Sequence, residues 1–159
     1  MKKIFNLFAI LLAICFATVS FVSCKSDDDD DDSPSAVAVF KYTGDGVTST
    51  VTFNDDGTYV VHSNWSETED GITVNFDGDV EAGSYTGDPT NDGNIVLTIT
   101  KELDDDKFDT AIDAAVAAAG STTVSITNSQ IPLIDASGTY TVTISGGKCT
   151  IDGAEYTRQ

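Results

Sequence analysis

The chain reads as mostly β, an antiparallel barrel or sandwich of eight to ten short strands with one amphipathic helix near residues 104–119. Three observations predict this. From residue 36 onward, apolar and polar residues alternate in short runs, the period of a half-buried strand. Clusters of Gly, Asp and Asn punctuate the runs, as turns between antiparallel strands do. One stretch alone switches to helical spacing. Evenly spaced short strands with Gly-rich turns suit a barrel or a sandwich.

Residues 36–42 form the first expected strand, ended by the turn Thr43-Gly44-Asp45-Gly46. In residues 47–53, Val51 and Phe53 share a face. Asn54-Asp55-Asp56-Gly57 is a hairpin turn, because Gly57 can take the positive φ of a tight reversal. Residues 58–62 return, with Tyr59 and Val61 on one face, and Trp65 follows in a polar loop. Ile72, Val74 and Phe76 alternate with polar residues; Gly78-Asp79 then turns into a short strand over 80–86. After a turn-rich loop at 87–93, Ile95, Leu97 and Ile99 define the clearest strand of the middle region.

Phe108, Ile112, Val116 and Ala119 then recur at helical spacing. Asp104, Asp105 and Asp106 offer an N-cap and suit the positive end of the helix dipole, while Gly120 suits the stop. With one apolar face, this helix should lie across a sheet or close a barrel end. Residues 122–127 form another strand, and Ile131-Pro132-Leu133-Ile134 an irregular apolar link. Tyr140, Val142 and Ile144 alternate, Gly146-Gly147 makes a two-residue hairpin with 148–151, and Asp152-Gly153 turns into 154–157. Gly57-Thr58-Tyr59, Gly83-Ser84-Tyr85 and Gly138-Thr139-Tyr140 are read as three strand starts; their irregular spacing is not that of a repeat.

Ahead of this domain stands a different kind of segment. Lys2 and Lys3 precede an almost wholly apolar run over 4–19, and the small residue Ser23 precedes Cys24. Length alone is close to the roughly 20 apolar residues of a membrane span. The charged start, the small residue and the hydrophilic run that follows favour a cleaved signal. Val22, Ser23 and Cys24 resemble the last three positions of a bacterial lipoprotein lipobox; Phe21 at its first position is similar to the relaxed form in Bacteroidetes and spirochaetes. The resemblance implies residues 1–23 as signal, lipid attachment at Cys24, and residues 24–35 as an acidic tether before the single domain over 36–159. Acyl chains anchor by burying methylenes at about 0.8 kcal/mol each. Lys25-Ser26 and the aspartates at 27–32 also resemble the export signal of some surface lipoproteins in Bacteroidetes. The expected location is therefore the bacterial outer membrane, facing the cell surface, with the periplasmic face of a membrane as the alternative. The same aspartates read equally as a self-repelling, extended spacer.

The formal charge is −18, and Lys2 and Lys3 are the only charges in 1–23, so the mature chain is two units more negative. That argues against nucleic acid, whose phosphates need a basic face, and against lying flat on an anionic membrane. Cys15 falls within the expected signal and Cys24 is the acylation site that the resemblance implies, so Cys149 is left without a disulfide partner and reads as a small buried hydrophobe.

No catalytic constellation stands out. His62 is the single histidine and alternates with Val60 on a strand; neither a Gly-x-Ser-x-Gly elbow nor a zinc set is present. Residues 88–94 are similar to a calcium loop in their oxygen side chains and a Gly at the sixth place. Ile99 stands where the closing Glu belongs, and hairpin turns use the same residue types. The expectation is thus no enzyme, no cofactor beyond the acyl groups on Cys24, and no metal. Two functions remain open. In one, a binding or interaction module meets a partner protein through Trp65 and the loops at one barrel end. In the other, a carrier holds a small apolar ligand within. Residues 52–59 resemble a turn common in small lipocalin-like lipoprotein barrels, which implies that second role. Val51, Val61, Val74 and Val142 leave room for a ligand, whereas Phe53, Tyr59, Phe76 and Tyr140 can fill it.

Overall fold

The computed structural model describes residues 34–159 apart from 45, 70, 120–122 and 152. The leader over 1–23, Cys24 and the tether up to residue 33 lie outside the described residues. In chain order the elements are β1 (Ala36–Gly44), β2 (Val47–Asn54), β3 (Thr58–Glu69), β4 (Ile72–Thr86) and β5 (Gly93–Leu103). They continue with α1 (Asp105–Ala119), β6 (Thr123–Thr127), β7 (Leu133–Ser145), β8 (Lys148–Ile151) and β9 (Ala154–Arg158).

Neighbours run β3-β2-β1-β9-β8-β7-β5-β4, and β4 pairs back onto β3. Eight antiparallel strands therefore close a barrel, which decides between barrel and sandwich. β6 departs from the antiparallel expectation: it lies parallel to the first part of β4, from Thr73–Thr123 to Asp77–Thr127. The turns follow their chemistry. Gly57 closes the β2–β3 hairpin at φ 81°, and Gly146 and Gly147 take φ 60° and 75°, the pair of positive values that a two-residue hairpin requires.

Alternation puts Phe40, Val51, Phe53, Tyr59, Ile95, Leu97, Val142, Ile144 and Cys149 inside the barrel, each at most 2 % exposed. Phe53 meets Phe40 and Tyr85 edge-on, at centroid distances of 6.0 and 5.0 Å, a favourable geometry for aromatic rings. A second cluster forms where α1 covers the paired β3, β4 and β6: Phe108 and Ile112 of the helix pack with Val74, Phe76, Val124, Ile126 and Ile131. Val80 touches both clusters and joins them. Asp104 caps α1 by accepting from the Lys107 amide at 3.1 Å. The side chains of Val116 and Ala119 and the stop at Gly120 lie outside the described ones.

Four sequence expectations need correction. Gly78-Asp79 is not a turn, because β4 runs unbroken through it. Trp65 is not in a loop but within β3, opposite Val47 on β2 and Phe76 on β4. Leu133 and Ile134 already belong to β7, leaving Ile131 as the buried anchor before it. Gly83 and Gly138 lie mid-strand, so only Gly57 precedes a strand start.

The first of these corrections has a clear cause. Val61 pairs with Glu81 and His62 with Asp79, so Val80 is an extra residue, a β-bulge. Before it, Val74 and Phe76 face the helix; after it, Glu81, Gly83 and Tyr85 face the barrel. Asn128 braces the bulge, its amide accepting from the Asp79 N–H and donating to the Asp79 carbonyl at 2.9 Å. A side chain thereby continues the ladder that β6 leaves at Thr127.

Candidate functional site

Register places the features of interest at opposite ends of the barrel. The chain enters beside the β2–β3 turn, where the Ser35 amide donates to Asp55 Oδ1 and the Asp55 amide donates to the Ser35 carbonyl. Trp65, α1 and the β3–β4 hairpin lie at the other end, where Gly44 meets Val47.

Trp65 is half-buried. Its indole stacks on Phe76 at 5.7 Å and meets Phe108 at 5.7 Å, so its ring is built into the second core. The sequence singled it out as a contact; the structure shows that its position is set by two neighbouring rings.

Inside the barrel, Glu81 Oε1 accepts from Tyr59 Oη at 2.7 Å and from Tyr140 Oη at 2.8 Å. The bulge is what turns this carboxylate inward. Burial first, then the Glu81 bond and charge, push the Tyr59 phenol well above its usual ionisation range. A second polar group sits one layer lower, where Ser49 Oγ accepts from Ser63 Oγ and Tyr156 Oη, both at 3.1 Å. These hydroxyls satisfy each other in a buried setting, as polar groups out of water must.

On the outer face, His62 lies between Asp79, 2.9 Å from Nδ1, and Asp77, 2.8 Å from Nε2. Both bonds form together only when the ring carries both protons. Partial burial opposes the charged ring, but hydrogen bonds to Asp79 and Asp77 and their charges outweigh it and raise the pKa. This is an ion-paired surface histidine.

The loop before β5 uses its oxygen atoms within itself. Asp88 accepts from the Thr90 amide and hydroxyl and from Asn91, and both oxygens of Asp92 take the Gly146 amide at 3.0 Å. Among the described residues no group of three or more His, Cys, Asp or Glu side chains is placed to hold a metal ion. Cys149 is buried, and that burial pushes its thiol up to about 11.

Sequence reasoning missed Glu81, the Asp77–His62–Asp79 set and Asn128. One signal was present: apolar residues hold even positions at Val74, Phe76 and Val80 but an odd one at Tyr85, a shift of parity that a bulge produces. Asn128 carried no local signal, since its partner is 49 residues away.

No family model, curated protein or solved structure matches this chain. What the fold defines, among the described residues, is a small closed β-barrel with an added parallel strand and one helix.

Proposed function

We infer that the chain is a lipid-anchored lipoprotein of the bacterial envelope, attached through Cys24, displayed on the outer membrane, and acting as a non-enzymatic interaction module. The leader with Val22-Ser23-Cys24 and the aspartates at 27–32 support the anchor and the display. The periplasmic face of a membrane is the alternative location. One observation supports contact through the outer surface over carriage of an apolar ligand within: the barrel axis is occupied by Phe40, Phe53, Tyr59, Ile95 and Leu97, each no more than 1 % exposed. A barrel of eight strands is just wide enough for such side chains to fill it. The described chain begins at the Ser35 end, opposite the end that bears Trp65 and α1, which leaves that end open to a partner of an anchored protein.

Two measurements test this reading. Cys24→Ser should release the protein from the membrane fraction and remove the mass of the acyl groups; retention at unchanged mass removes the anchor. Native mass spectrometry after exposure to lipid and metabolite extracts should return the bare protein mass. A stoichiometric small-molecule adduct instead supports the internal carrier and gives the mass of its ligand.

A further inference from the structure

The seam of the barrel is uneven. β7 pairs with β5 along nearly its whole length, from Leu103–Leu133 to Gly93–Ile144. On its other side β8 has four residues, and among the described residues it pairs with β7 at Ile144 and Ser145 alone. The edge of β7 over residues 133–139 therefore faces no strand among the described residues. No turn, loop or side chain among them bonds its backbone either. None of these seven residues is buried.

The edge of β6 is treated differently. The Gln130 side chain accepts from the Thr127 amide at 2.9 Å and donates to the Ser125 carbonyl at 3.4 Å, so β6 carries an amide clamp across its outer side. Natural sheets commonly cover, charge or shorten such edges, because unpaired N–H and C=O groups recruit further strands. An uncovered edge is also how many domains take up an extended peptide, with backbone bonds giving affinity and alternate side chains giving selectivity.

We propose that the 133–139 edge of β7 is a strand-addition site for an extended basic segment of a partner protein. This rests on the interaction-module reading and names the partner class. Charge selects the occupant. A second copy would bring two chains of −18 together. Glu102 faces Ile134 across the β5–β7 ladder, Asp104 and Asp106 follow β5, and the nearby cation Lys101 is already paired with Asp135. The edge begins at Leu133, opposite Leu103 at the end of β5 that leads into α1, a position that suits a partner approaching from the helix-bearing end.

The test uses the full-length chain in detergent and a blocked peptide of about eight residues alternating Lys and Val. Two controls accompany it: the same peptide N-methylated at each Val, and an alternating Glu and Val peptide. Hydrogen exchange followed by mass spectrometry should show protection confined to the segment containing 133–139. The effect should weaken about tenfold or more with the N-methylated peptide, which cannot complete the ladder, and be lost with the acidic one. No protection at about 1 mM peptide, or equal binding of either control, overturns the proposal. So does protection of this edge that rises with protein concentration alone, since the occupant is then a second copy. None of these failures touches membrane retention through Cys24, which stands or falls by its own measurement.

Discussion

The Tyr59 hydroxyl donates to Glu81 Oε1 at 2.7 Å from within the barrel, and the Val80 bulge is what brings the carboxylate there. Tyr59 is only 1 % exposed, so its hydroxyl has no water to fall back on. Glu81→Ala should destabilise the domain by about 1–3 kcal/mol, the cost of an orphaned buried donor. Tyr59→Phe should cost less, because shape is kept. In urea denaturation the double variant should cost less than the sum of the two, and strict additivity would show that the pair is uncoupled.

Gly83 faces the barrel interior on β4, and a Cβ there would overlap the Thr98 carbonyl while pressing on the Tyr59 ring. Neither neighbour is free to withdraw, one being backbone and the other a fully buried ring. Gly83→Ala should therefore cost at least about 2 kcal/mol, the behaviour of an overpacked core. Its exposed neighbour Ser84 should tolerate alanine within about 0.5 kcal/mol. Equal tolerance at both positions would contradict the close approach of β4 and β5.

Asn128 ties Asp79 to the loop before β7 through the Asp79 amide and carbonyl and the Ile131 carbonyl. Asn128→Ala should cost about 1–3 kcal/mol by leaving part-buried backbone groups without partners. The loss should be local. Amide exchange should accelerate around Asp79 and in β6 while Phe40 and Leu97 in the barrel keep their protection. Uniform acceleration would mean that the helix-covered end and the barrel open as one unit.

His62 provides a pH signature with a defined sign. Its folded pKa lies above the unfolded value, so the stabilisation from Asp79 and Asp77 is fully present below the unfolded value of about 6.5 and is lost as pH rises through the folded pKa. The ring and both carboxylates are substantially exposed, which limits the effect to about 0.2–1 kcal/mol. His62→Gln should thus be measurably less stable than the parent at pH 5 and equal to it at pH 9. A difference that grows with pH would reverse the assignment.

Strand period, turn chemistry and the Asp104 cap are local properties, and each was legible in the residues that carry it. Phe53 and Tyr59 flank Gly57 on the expected face, and Phe108 and Ile112 bury the expected side of the helix. The errors cluster in β3, β4 and β7, the longest strands, which cross positions that look like turns. Gly78-Asp79 carries turn residues, yet pairing with β3 on one side and β6 with Asn128 on the other holds it extended. Of the candidate site residues, Trp65 was visible as a lone large aromatic, but its stacking on Phe76 and Phe108 was not.

The sequence by itself determined the β class, the helix that follows Asp104 and the hairpin turns at Gly57 and Gly146-Gly147, because each depends on neighbours within a few residues or on composition. Only the tertiary structure decided barrel over sandwich, the parallel seat of β6, the inward turn of Glu81 and the β7 edge that is unpaired among the described residues. Those depend on which strands pair and on where one residue too many enters a ladder. Strand pairing joins residues far apart in the chain, and a local pattern of apolar and polar side chains serves several partners equally well until closure selects among them.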